Sequence, residues 1–448
     1  MSEGRRDAPI CRCTILCTAE PTSAVIDRPA AKLKAQGLNL KMSSLSSYGR
    51  HVSRPYVDFL SRFGIDFEVG DAIGATVKDR SGRPYIDCIG GYGNLNVGHN
   101  HPRVVEAVIS ALQSGRPFGW PFISQAHVQL VEMLTELVPN GLDRCLIVNS
   151  GAEAVDSVLK LVRLATGRSG VVCCHGGWHG FTLGALSVSE PEMCRSFGPL
   201  LPGVRRVPYG DAAAAAQAIS PDIGAVIVEP LQSESGAVMP PEGYLTELVA
   251  TCAASDVLLI LDEIKSGIGK TGKMFACEFE QIEPDVLLMG KSLGGGVMPI
   301  GVLMAKRKWW TKFGLSFAMT SSSAAGNAFA CAAGIATLEV IQSENLCANA
   351  ERQGRRLQQA LIGLCSTHPA LVRGVTGRGL MLGLHTANPK VAYEIVLRCA
   401  RHGVLMMPAF LDRAGILIEP PLCITDAQID EVLWRLKQVC NAIEAQKS

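Results

Sequence analysis

A succession of short apolar runs, set between stretches of helical periodicity, limits what this chain can fold into. The runs are CLIV (145–148), GVVCC (170–174), AVIVE (225–229), VLLILDE (257–263), DVLLMG (285–290) and IGVLMAK (300–306). Continuous β-branched residues and leucine between helices predict a mostly parallel sheet covered on both faces, and hence an α/β fold. Ahead of these runs, 66–88 (DFEVGDAIGATVKDRSGRPYIDC) has apolar alternation broken by Gly and Asp. That pattern predicts short antiparallel strands joined by turns. Beyond about 340, GIATLEVIQSENL reads as a long helix, while GRGLMLGL and GILIE read as strands of a smaller α/β domain. The expected organisation is a loose tail over 1–45, a large domain over 101–340, and a small domain built from 46–100 and 341–448. No internal repeat is visible.

With 48% apolar residues in a chain of 448, a large core is available. The 42 basic and 41 acidic residues leave a net charge of +1, which gives no field favouring nucleic acid or an anionic membrane. No stretch approaches the ~20 apolar residues of a membrane span. ICRCTILC, behind Arg5 and Arg6, is too short and too interrupted for a signal core. A soluble cytoplasmic protein is expected. The 16 cysteines are scattered without C-x-x-C spacing and read as free buried thiols. Cys11, Cys13 and Cys17 cluster and could bind a metal, but exposed thiols on a disordered tail are the expectation, with no metal site.

In sheets of this kind ligands bind where strands end at their carboxyl edge. The first such exit is VNSGAEAVDSVLKLVR (148–163), in which Ser150 and Gly151 open an amphipathic helix with apolar Val155, Val158, Leu159 and Val162. A helix start offers free N–H groups to a phosphate, although Ser-Gly is also an ordinary cap. At the second exit Asp262 directly follows buried-type residues and needs a partner or a positive charge. It could equally be an N-cap or a core carboxylate bonded to backbone. At the third, Lys291 lies 29 residues after Asp262, one strand–helix–strand step on, and precedes three glycines. A desolvated lysine becomes a nucleophile toward carbonyls, whereas an exposed one would merely begin a loop. Phosphate cradle, buried carboxylate and nucleophilic lysine together meet the needs of pyridoxal phosphate.

The chain resembles the class III pyridoxal-phosphate aminotransferases, of fold type I, and within them the putrescine, ornithine and acetylornithine group. YIDCIGGYGNLNVGHNHP, PLLPGVRRVPYGD, KMFACEFEQIEPDVLLMGKSLGGGVMPIG and IEPPL carry the resemblance, over about residues 50–440. It implies a mostly parallel seven-stranded sheet in the large domain and a homodimer with shared active sites. Lys291 would form the Schiff base and Asp262 would face the pyridine nitrogen. Ser150, Gly151 and Ala152 would hold the phosphate, with Ala152 in place of the usual threonine. Trp178, beside His179 and Gly180, sits where the family stacks Tyr or Phe on the cofactor. Ser323 matches a hydroxyl that reaches the phosphate from the other subunit.

Three departures surround the substrate rather than the cofactor. The family's D-E-V-Q-T-G is DEIKSG here, so Lys265 replaces a glutamine near the cofactor's phenolic oxygen. It could face the cofactor or swing to solvent. The arginine that binds a substrate carboxylate is Leu417, and Glu234, whose counterpart pairs with that arginine, would lack its usual partner. Glu234 could contact a cationic substrate or Lys265, and Arg413 could compensate. The HTTTFGGN of the putrescine type becomes TSSSAAGN, which reshapes the way in. The expected reaction is ω-type transamination of a small amine or amino acid, with the quinonoid formed after Lys291 removes the Cα proton. A diverged enzyme using the carbanion for elimination or carbon–carbon bond formation is the alternative. Retention of Lys291 and Asp262 argues against a non-catalytic cofactor-binding subunit. A nicotinamide site has less support still, because GKSLGGG lacks the G-x-G-x-x-G order and no acidic ribose partner lies at the expected distance on a second strand.

Overall fold

The computed structural model describes residues 44–115, 122–316 and 322–446. The chain divides into two compact units, the first ending at Glu68. The described part of the first consists of the helices Ser44–Tyr48 and Arg54–Arg62 with a π-turn between them. Ser53 caps the second by accepting the Tyr56 N–H, and Phe59 packs edge-on against Phe63. All of the expected tail but Ser44 and Leu45, including Cys11, Cys13 and Cys17, lies outside the described residues.

The second unit, from Val69 onward, carries three sheets. Strands β1 (Val69–Ile73), β2 (Thr76–Asp79) and β3 (Pro84–Asp87) form the antiparallel ribbon expected over 66–88. The central sheet contains β4 (Leu142–Val148), β5 (Gly170–Cys174), β6 (Val204–Val207), β7 (Ile223–Val228), β8 (Leu258–Asp262), β9 (Val286–Met289) and β10 (Gly301–Lys306). Its order is β4-β10-β9-β8-β7-β5-β6. Six strands run in one direction, and only β10 opposes both of its neighbours. The last sheet is antiparallel, of β11 (Val372–Arg378), β12 (Met381–Thr386), β14 (Met407–Pro408) and β15 (Gly415–Ile418), while β13 (Val404–Leu405) joins β3 in parallel.

The central strands are buried along their length, as strands covered on both faces must be. Helix Gly151–Thr166 turns Val155, Val158, Leu159 and Val162 into the core against β4, β7, β9 and β10. Three features depart from the sequence expectation. β6, with sequence VRRV, hides its period behind Arg205 and Arg206, and the Arg206 guanidinium caps the carbonyls of Ser187 and Ser189. No α-helix joins β8 to β9; the crossover is a run of turns ending in the 3₁₀ helix Ala276–Phe279. Its scaffold is the fully buried Glu263 carboxylate, which accepts the N–H groups of Ala276 and Cys277 and the Ser266 hydroxyl. The helix expected through Leu346 is two, Ala328–Ser343 and Leu346–Thr367, broken at Asn345 with φ +52°.

The 13 cysteines among the described residues are all free, and most are buried. No helix among the described residues is long and apolar enough to cross a membrane. At the start of β9 the buried Asp285 binds three elements together. It accepts the Leu259 N–H at 3.1 Å and the Trp309 indole N–H at 3.0 Å, and faces Lys306 at 3.5 Å. Asp285→Ala strands both donors, so unfolding in urea should show a loss of about 2–3 kcal/mol. A loss below about 0.5 kcal/mol would show the clasp to be dispensable.

Candidate active site

The carboxyl ends of β4, β7, β8 and β9 converge, and each delivers a chemically distinctive residue. β8 ends on Asp262, which is 4% exposed. One carboxylate oxygen accepts the Ile264 N–H at 3.0 Å, and the other lies 2.7 Å from Nδ1 of His179. Burial opposes charge on the His179 ring, but Asp262 outweighs it and the imidazole pKa is raised. The His179 N–H is itself tied to the Ser189 hydroxyl at 2.9 Å. Asp262 is thus held by two independent contacts.

β9 runs through Gly290 into Lys291, which opens the 3₁₀ helix Lys291–Gly294. Its φ of +42° is a left-handed conformation that a side chain adopts only under constraint. Desolvation lowers the Lys291 pKa, and the nearby cation of Lys265 lowers it further; Glu234, Asp262 and Glu229 act the other way. At the end of β4, Ser150 caps the next helix by accepting the Glu153 N–H, while Glu153 reaches back to the Asn149 N–H at 2.8 Å. A Cβ on Gly151 would come within 2.9 Å of Ile264, so only glycine lets the helix start sit against the turn that follows Asp262. Ala152 abuts Gly180 in the segment carrying Trp178 and His179.

Lys265 does not swing to solvent. It is 5% exposed, with its Nζ 2.8 Å from Glu234 and 3.1 Å from Glu419. Burial opposes its charge, but the two carboxylates prevail and raise its pKa above the ordinary lysine value. Burial would likewise raise Glu234, yet Lys265 holds it below the usual carboxylate range. Leu417 faces no polar partner: it packs with Leu231, Ala237, Met381 and Ala409. Trp178 is half-buried and meets Phe181 and Phe410 edge-on, each at 4.9 Å between ring centres. Ser323 lies exposed in the turn before helix Ala328–Ser343, where its neighbour Ser322 accepts from the Asn149 amide at 2.8 Å. Arg413 lies in the turn before β15, half-exposed.

Three charged residues escaped the sequence reading. Glu229 follows β7 directly, accepts the Trp178 N–H at 2.8 Å, and is pushed by burial up to about 7. Glu419 follows β15 and supplies the second carboxylate of the Lys265 clasp. Lys270 is fully buried, donates to the carbonyls of Glu419 and Pro420, and is lowered by burial to about 8. The signal that singled out Asp262, an acid closing an apolar run, was equally present in AVIVE and GILIE.

A parallel sheet with a desolvated lysine, an anchored carboxylate and a helix start at its carboxyl edge defines an enzyme of carbonyl–amine chemistry. The chain belongs to the class-III aminotransferase family, whose model matches residues 64–440. It is similar to the ornithine aminotransferase of Toxoplasma gondii ME49, at 28% identity and a TM-score of 0.82, covering 94% of this chain and 100% of that one. It is also similar to the acetylornithine aminotransferase of Elizabethkingia anophelis, at 27% identity and TM-score 0.73, covering 87% and 99%. The ornithine δ-aminotransferase of Plasmodium falciparum matches at 26% identity and TM-score 0.75, covering 88% and 99%. The protein is a pyridoxal-phosphate-dependent aminotransferase whose substrate is a small amine or amino acid.

The residues present fit that cofactor. Its aldehyde needs a desolvated amine, which Lys291 offers. Its ring nitrogen needs a fixed carboxylate, and Asp262 is fixed by His179 and the Ile264 amide. Its phosphate needs amides without partners inside their own helix, as at Ser150–Ala152.

Glu229 gives a testable pH dependence. Its folded pKa of about 7 lies above the ordinary glutamate value of 4.5, so folding favours the protonated acid. That contribution is full below 4.5 and is lost as pH rises through 7. Glu229→Gln mimics the protonated form, so the melting temperatures of cofactor-free wild type and variant should diverge from pH 5 to 8 in favour of the variant. The full effect is on the order of 3 kcal/mol. A constant difference across that range would contradict the assignment.

Proposed function

We propose that the enzyme is an ω-type aminotransferase whose preferred amino donor carries no carboxylate on the reacting carbon. The observation behind this is the fate of position 417. In a class III site that binds an α-carboxylate, the resemblance places an arginine there. Here Leu417 lies in an apolar cluster, and Glu234 is engaged by Lys265. A bidentate carboxylate clamp at that position is lost. Solved neighbours named for ornithine and acetylornithine support an amine or amino-acid substrate.

The cofactor, when bound, supplies an aldehyde that takes up the amino group and a ring that withdraws electrons from the adjacent carbon. The remaining work belongs to the chain. Lys291 would hold the cofactor through its Nζ, and the same Nζ, when free, would take the proton from the carbon bearing the substrate amine. Asp262, oriented by His179, keeps a proton on the ring nitrogen. Ser150, Gly151 and Ala152 hold the phosphate at the helix start. The Trp178 indole offers a broad face for the ring. Two chains pair so that Ser323 of each completes the phosphate site of the other, and the enzyme works in the cytoplasm.

Cofactor-loaded enzyme mixed with a diamine or monoamine should accumulate pyridoxamine phosphate, whereas glutamate and alanine should yield little. Equal conversion by the α-amino acids would overturn the donor assignment. Lys291→Ala should lose the long-wavelength absorption and the borohydride-fixed adduct, with turnover falling by at least about 10³-fold. Light scattering should give twice the chain mass.

A further inference from the structure

We propose that Lys265 is a positioning residue for Lys291: a fixed cation, clasped by Glu234 and Glu419, that disfavours a second positive charge on the neighbouring amine and keeps it a nucleophile. The inference rests on Lys291 being the residue that anchors the cofactor.

Proximity comes from the backbone at Gly93. With φ at +85°, this glycine sits where a Cβ would lie 3.0 Å from Cγ of Lys265 and 3.6 Å from Cδ of Lys291. Both lysine stems therefore pass one backbone atom, and a Cβ there would touch Lys291 and press on Lys265. Permanence of the charge comes from the clasp. A buried lysine without a counter-ion gives up its proton rather than stay charged. Lys265 has two carboxylates, at 2.8 and 3.1 Å, both buried. Glu419 is held in turn by the Ser233 hydroxyl, and its backbone carbonyl by Lys270. Losing one carboxylate would still leave the ammonium a partner.

The charges around Lys291 are of both signs. Lys265 opposes protonation, while Glu234, Asp262 and Glu229 favour it. Glu234 is already engaged by Lys265, and Asp262 by His179. Glu229 stands near neutral water's pH in its own titration. Lys265 shares its own charge with two carboxylates, yet among the charges acting on Lys291 its effect is the largest. Between like charges in a site screened from water, repulsion is several-fold stronger than at a surface. Where relatives are expected to hold a neutral glutamine, this chain holds a charge, and its lysine–cofactor linkage should give up its proton at lower pH than a glutamine-bearing site allows.

The test is a pH titration of the visible absorption of cofactor-loaded wild type, K265Q, K265R and E234Q. Each is paired with the pH dependence of Lys291 acylation by acetic anhydride in cofactor-free protein, read by mass spectrometry. K265Q should raise both midpoints by about one pH unit or more, K265R should leave them within a few tenths, and E234Q should lower them. Unmoved midpoints in folded K265Q, or an equal shift in K265R, would mean that Lys265 acts only by packing. If K265Q does not fold, K265M carries the same expectation, and an unmoved midpoint in it overturns the proposal equally well. Lys291→Ala keeps the two readings apart: if it retains the visible band, the anchor assignment fails, whatever Lys265 does.

Discussion

A charge withdrawn from water must be met by another, and the carboxyl edge of the central sheet is organised around that constraint. Asp262 is met by His179, Lys265 by Glu234 and Glu419, and Lys270 by two carbonyls. Each of these groups would be costly alone. Together they leave Lys291 with its ordinary charge disfavoured. The fold serves this arrangement. Parallel strands β7, β8 and β9 end side by side, so residues distant in sequence arrive at one place already oriented.

Much of this was legible before any coordinates. Five of the apolar runs between helices announced the parallel strands, because strands covered on both faces leave an unbroken apolar record. The run at 300–306 announced β10, though nothing in it revealed that the strand runs antiparallel. β6 was invisible because two of its four residues are arginines whose stems pack and whose heads cap carbonyls. The turn-built crossover from β8 to β9 was misread as helical because its scaffold is a single buried carboxylate, Glu263, rather than a periodic face.

For the site, Lys291 and Asp262 stood out because ionisable residues rarely close a buried strand. Glu229 and Glu419 carried the same mark and went unread. The Lys265–Glu419 contact joins residues 154 positions apart, as 419 less 265 shows, and no local pattern announces so distant a pairing. The fate of Lys265 was undecidable in sequence for that reason: buried or exposed depended on an acid supplied by the far end of the chain.

The apolar setting of Leu417 bears on what could replace it. Leu417→Arg would place a guanidinium among Leu231, Ala237, Met381 and Ala409, while Glu234 stays committed to Lys265. The new cation would arrive with no acid to receive it. A carboxylate clamp at 417 would therefore need Lys265 replaced as well, so that Glu234 is free to receive the guanidinium.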